Sequence, residues 1–67
     1  MIKLKLNGKD EHFKSALTIL GLVKSKKLVP ETIVVEHNGN IVDRTKWDKV
    51  KLKNTDAIEI ITFMGGG

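Results

Sequence analysis

The sequence has no cysteine and no tyrosine, a single proline, and three aromatic residues, Phe13, Trp47 and Phe63. Without cysteine there is no disulfide scaffold, no thiolate nucleophile and no Cys-ligated zinc. No apolar run approaches the roughly 20 residues of a membrane helix. The opening residues Met1-Ile2-Lys3-Leu4-Lys5-Leu6 alternate instead of forming the apolar block of a signal peptide. A cytoplasmic location, with no membrane partner, is the expectation. Glycine is scarce within the chain, because three of its six glycines are the last three residues. A third of the 67 residues are nonetheless Leu, Ile, Val or Phe, well above the composition of a disordered segment. One small domain without staples is expected, relying on a compact apolar core. Acidic residues are in deficit, 8 against 12 basic, for a net charge of +4, so acidic partners and nucleic acid come into question.

Ile2 to Leu6 alternates apolar and basic residues, the period of a strand with one buried face. Asn7-Gly8 suits a type I′ hairpin turn, since both positions tolerate positive φ. A polar return strand over about 9–14, with Phe13 pointing inward, completes a hairpin across residues 2–14. Thr18 caps a helix over about 17–27, with Ile19, Leu22 and Val23 on one face and Ser15 as an alternative, earlier start. Gly21 weakens this helix by about 1 kcal/mol relative to Ala. Lys24, Lys26 and Lys27 complement its C-terminal dipole, and Pro30 forbids continuation. The β-branched run Thr32 to His37 predicts a strand buried on much of both faces. Asn38-Gly39 turns the chain into a short strand, Ile41-Val42. Residues 43–50 read as a loop holding Trp47, with one helical turn started by Thr45. Asn54-Thr55-Asp56 is a further turn, and Ala57 to Phe63 is the last strand. First and last strands are strongly apolar and suited to central parallel pairing. The class is α+β: a mixed sheet of four to five strands packed on one helix, in the order of the β-grasp (ubiquitin-like) fold.

Nothing in this pattern assembles a catalytic or metal site. There is no nucleophile triad spacing, no phosphate-cradling loop and no paired carboxylates placed by a motif. His12 and His37 fall in different strands and read as surface or turn-proximal residues; Asp48, Asp56 and Glu59 read as solvated charges or turn residues. Lys3 and Lys5 share a strand face, and Lys49, Lys51 and Lys53 alternate over a second segment. Stacking aromatics are not interleaved with these lysines, so solvated faces rank ahead of an acidic protein partner, and nucleic acid ranks last.

The ending is different. Ile60, Ile61 and Phe63 run almost directly into Gly65-Gly66-Gly67. Such an arm has no side chains to obstruct it and threads a narrow channel with its carboxylate leading. A frayed end is the bland alternative. Residues 1–64 are therefore expected to form the domain and 65–67 the tail.

The whole chain resembles the thiamine-biosynthesis sulfur carrier family (ThiS). The likeness runs through Leu6-Asn7-Gly8, Val34-Val35-Glu36-His37-Asn38-Gly39 with Ile41-Val42, Trp47, and Ala57 through Gly67. Gly21 and the lysines of 24–27 depart from the more acidic, better helix-forming stretch of that family. The resemblance implies a carrier without catalytic residues, bound metal or bound cofactor. The Gly67 carboxylate is adenylated by an E1-like activating enzyme that uses ATP and magnesium. A sulfur donor converts it to a thiocarboxylate, which delivers sulfur to thiazole synthase. Gly65 and Gly66 would thread the partner, whereas Phe63 and Met64 would touch its channel mouth, with Phe63 equally suited to the core. Alternatives are a molybdopterin-synthase small-subunit type of carrier, a ubiquitin-like modifier, and a basic binding module.

Overall fold

The structure, a computed structural model, describes residues 1–63. Five strands and one helix adopt the expected order: β1 (Ile2–Leu6), β2 (Lys9–Phe13), α1 (Ile19–Ser25), β3 (Ile33–His37), β4 (Asn40–Ile41) and β5 (Ala57–Thr62). They form one sheet in the order β2-β1-β5-β3-β4. The pairing is antiparallel except between β1 and β5, which are parallel. This is the β-grasp arrangement.

Both Asn-Gly pairs turn as expected, with Asn7 and Asn38 at φ 51° and 50° and Gly8 and Gly39 at φ 83° and 88°. Left-handed backbone is tolerable for asparagine, and both residues use their side chains as well. An Asn amide presents the same donor and acceptor as a peptide group. The β1–β5 ladder has only two residue pairs, Lys5 with Ala57 and Leu6 with Ile58. Asn7 prolongs it: its N–H donates to the Ile58 carbonyl at 2.8 Å, and its Oδ1 accepts from the Ile60 N–H at 2.8 Å. On the opposite side Asn38 prolongs β3, donating its N–H to the Ala57 carbonyl and accepting the Ala57 N–H on Oδ1, both at 2.8 Å.

Alternation assigns Leu4, Ile33, Val35 and Ile58 to the sheet face that α1 covers with Ile19, Leu22 and Val23; Trp47 and Leu52 complete the core. The four leading N–H groups of α1 all find acceptors. Ile19 and Leu20 donate to the Val50 and Trp47 carbonyls, Gly21 to the Thr18 hydroxyl, and Leu22 to the Thr18 carbonyl. The loop carrying Trp47 is thus a cap for the helix. Trp47 itself is 2% exposed and donates Nε1–H to the Val42 carbonyl at 3.0 Å.

Several local expectations change. The helix is shorter than 17–27, because Lys26 and Lys27 leave it: Leu28 N–H returns to the Val23 carbonyl and Lys27 N–H to that of Lys24. This is a Schellman closure with Lys27, at φ 57°, where glycine is usual. Of the three lysines only Lys24 lies in the last turn; Lys26 instead reaches Glu11 of β2, 2.8 Å from each carboxylate oxygen. Asp43, not Thr45, starts the turn at Arg44–Lys46, since Asp43 Oδ1 accepts from both the N–H and the hydroxyl of Thr45. Val42 lies outside β4 and Phe63 outside β5. A short turn at Pro30–Thr32 precedes β3. Finally, β3 is not buried on both faces. Ile33 and Val35 are covered, whereas Val34 and Glu36 are half-exposed, because the helix lies on one side only.

Asp56 is a turn residue but not a solvated one, with a side chain 12% exposed. It accepts from His37 Nε2 at 2.9 Å, from the Lys53 N–H at 2.9 Å and from Asn38 Nδ2 at 3.1 Å. Burial works to raise its pKa; the three hydrogen bonds, that of His37 the largest, outweigh it and hold the carboxyl below its ordinary 3.8.

This packing makes three outcomes testable, each readable through the fluorescence of Trp47. A Cβ at Gly21 would sit 3.5 Å from Leu17 Cβ and 3.6 Å from Thr18 Oγ1, ordinary contact, so Gly21→Ala should raise stability by about 0.5–1 kcal/mol in urea unfolding. Asn7→Gly keeps the turn but loses the bond to Ile60. It should cost about 1 kcal/mol and accelerate hydrogen exchange at the Ile60 amide. The depressed folded pKa of Asp56 gives stability that is complete above the unfolded value and lost as pH falls below 3.8 through the folded value. Asp56→Asn should therefore cost about 1–3 kcal/mol near neutrality and flatten the acid limb of the stability profile.

Candidate functional site

The site suggested by the sequence is the end of β5 together with the C-terminal glycines. Met64, Gly65, Gly66 and Gly67 lie outside the described residues. The segment that delivers them is firmly placed. From Ile58 to Thr62, β5 is paired along its whole length with β3, and Phe63 N–H still donates to the Thr32 carbonyl at 3.0 Å. Thr32 is buried and donates its own hydroxyl to the Val29 carbonyl at 2.7 Å. The exit point is therefore tied to the core through β3.

The side chain of Phe63 lies outside the core. It is 57% exposed and lines an open groove with Pro30, Val34, Ile41, Val42 and Arg44. The strand registers explain what surrounds it. Val34 stands opposite Ile61, and Glu36 stands between Glu59 on β5 and Ile41 on β4, so these side chains share the face turned away from the helix. Ile61 is 44% exposed and Ile41 70%. An apolar patch of Val34, Ile41, Ile61 and Phe63 thus lies uncovered beside the exit. Sequence reasoning missed Val34, Ile41 and Ile61 as site residues. The signal was there in the unbroken apolar runs 33–35 and 60–61, which supply side chains to both sheet faces although the chain has one helix to cover them.

The remaining candidates are dispersed. His12 is exposed on β2 opposite Lys3, and His37 is bound to Asp56 at the far end of β5. Lys3 and Lys5 share the outer face as expected and both approach Asp10, at 3.9 and 3.1 Å. Hydrogen bonding and ion pairing with Lys5, helped by Lys3, hold Asp10 below the ordinary carboxylate range. Lys49, Lys51 and Lys53 are exposed around buried Leu52; their segment makes one bridge to Thr18, between Lys51 and the helix cap, instead of a strand. Asp48 and Glu59 are exposed. Among the described residues no three His, Asp or Glu side chains converge as metal ligands, and no helix is long and apolar enough to cross a membrane.

What the described residues offer is an uncovered apolar surface and a central strand whose last neighbour, Phe63, lies beside it. Known proteins share the fold. The crystal structure of a thiamine biosynthesis protein (ThiS) from Geobacter metallireducens superposes with a TM-score of 0.85 at 33% identity, covering 98% of this chain and all of that one. The sulfur carrier protein ThiS of Bacillus subtilis is 40% identical over 65 residues, 96% of this chain and 98% of that protein. A thiazole synthase of Magnetococcus marinus is 35% identical over 66 residues; there the chain covers only 20% of the longer protein. The model of the ThiS family matches residues 4–67, nearly the full length, and the chain belongs to that family.

Proposed function

We propose that this protein is the sulfur carrier of thiamine biosynthesis and that Gly67 holds the sulfur. Membership of the ThiS family supports the carrier role over the molybdopterin-synthase type of carrier and over a basic binding module. The chain is a reactant and not an enzyme. The observation that carries the reading is the path of β5: a strand paired on both sides, anchored to Thr32 at Phe63, that ends beside an uncovered apolar patch.

A carboxylate resists attack because charge and resonance stabilise it. An adenylating enzyme using ATP and magnesium joins the Gly67 carboxylate oxygen to the α-phosphate and releases pyrophosphate. Sulfur at the sulfide level, from a donor, then attacks the carbonyl carbon; a C–S bond forms, the C–O bond to AMP breaks, and AMP departs. The thiocarboxylate that results stays ionised near neutral pH and is a good nucleophile toward the acceptor in thiazole formation. The handle makes this possible by presentation. Gly65 and Gly66 would lie in the partner's channel, with Phe63 and Met64 at its mouth. Four residues beyond Phe63 span at most about 14 Å when extended, so the partner's reacting centre must lie within that distance of the patch.

The reading implies two partners: the adenylating enzyme, and thiazole synthase as acceptor. The second is supported by the Magnetococcus relative, in which a module like this one makes up 20% of a protein called thiazole synthase. Nucleic acid is not among the partners proposed, and the cytoplasm, where ATP is available, is the proposed location.

Intact-mass measurement after incubation with the adenylating enzyme, ATP, magnesium and a sulfur source should show a gain equal to one sulfur-for-oxygen exchange. Removing Gly66 and Gly67 should abolish it while leaving the unfolding transition unchanged. An unmodified full-length chain under these conditions would sink the proposal.

A further inference from the structure

Glu36 and Glu59 are directly opposed in the β3–β5 register. Directly opposed residues of an antiparallel pair hold their Cβ atoms about 5 Å apart, and like charges there are destabilising. Of the other six carboxylates, Asp10 has Lys3 and Lys5, Glu11 has Lys26, Glu31 has Arg44 and Asp56 has His37, whereas Asp43 and Asp48 form no ion pair among the described residues. Neither Glu36 nor Glu59 takes part in an ion pair among the described residues. What sets Glu36 and Glu59 apart from the unpaired Asp43 and Asp48 is that they face one another across the β3–β5 ladder. They sit on the face that carries the apolar patch, with Ile41 beside Glu36 and Ile61 two residues along β5 from Glu59.

We propose that Glu36 and Glu59 set the charge preference of the docking face, which fits a protein surface presenting an arginine or lysine beside an apolar patch. This inference rests on the sulfur-carrier reading and names the chemistry of the surface that the adenylating enzyme presents. Charge complementarity carries it. A cation placed between the two carboxylates cancels a repulsion that the free protein bears, so docking gains both the new attraction and the relief. A guanidinium suits the position best, since its fork addresses two acceptors at once. The apolar contacts supply affinity without direction; the acid pair supplies register, turning the face so that the chain end points into the reacting centre. An acidic surface is correspondingly rejected, despite the positive charge of the protein as a whole.

The test measures pyrophosphate release by the adenylating enzyme of the same source as a function of carrier concentration, alongside thermal unfolding of each carrier. The Glu36→Gln/Glu59→Gln double variant should raise KM for the carrier about tenfold with kcat unchanged. Its melting temperature should equal or exceed that of the parent, because a cross-strand repulsion is gone. Glu36→Lys/Glu59→Lys should raise KM about a hundredfold. Asp10→Asn, on the same face but beside Lys3 and Lys5, should shift KM by no more than about twofold. Raising the salt concentration should weaken the parent and leave the Gln double variant less affected.

An unmoved KM in the double Gln variant, with normal turnover of the parent, overturns this inference and leaves the carrier reading intact. A lowered melting temperature accompanied by a fall in kcat assigns the pair a structural role and overturns it too. So does a salt-sensitive dimer of the carrier alone that Glu59→Lys disperses, which would give the face to a second copy. No pyrophosphate release with the unaltered carrier removes both proposals together.

Discussion

Everything in this protein depends on how β5 is held. A strand of six residues at the centre of the sheet has neighbours of unequal quality, a full antiparallel ladder with β3 and only two residue pairs with β1. Two asparagines correct the imbalance by using side-chain amides where peptide groups would otherwise be needed. Each stands at the first position of a tight turn, where the left-handed backbone swings its side chain alongside β5. The same residue thus reverses one strand and secures another. Asp56 closes the arrangement at the start of β5, gathering donors from His37, Asn38 and the backbone of Lys53. Loosening any of these would weaken the hold on β5.

The strand order, the parallel central pair, the Thr18 cap and the inward set Ile19, Leu22 and Val23 were legible in the residues, because each rests on local periodicity or on turn chemistry with few solutions. The features that were not legible are long-range. Nothing local announces that the Asn7 amide will meet Ile60, or that the carbonyls of Trp47 and Val50 will cap the helix. The C-terminal end of the helix is hidden for a related reason. A Schellman closure normally announces itself with glycine, and here Lys27 takes the left-handed position.

The candidate site divides the same way. The glycine end was visible as composition, whereas the face beside it emerges only once strand register is known. Val34, Ile61 and Glu36 look like interior residues of continuous β-branched runs. Register turns them outward onto a sheet whose single helix is on the other side, and it brings Glu36 and Glu59 together from 23 positions apart in the chain. A pattern that would be a flaw in an isolated monomer is coherent in a protein whose task is completed on another molecule's surface.

The parallel pairing of β1 with β5 has a consequence for how the molecule comes into being. β1 has its central partner in β5, which is made only after the rest of the domain. Until β5 leaves the ribosome, the hairpin and β3 have no strand to join them, and the core lacks Ile58. Contacts this distant in sequence form late, because loop closure precedes any gain from the contact. A chain whose synthesis stops short of β5 should therefore present no finished face to a partner. The face beside the chain's exit is thus complete only in a protein whose synthesis has already passed through β5.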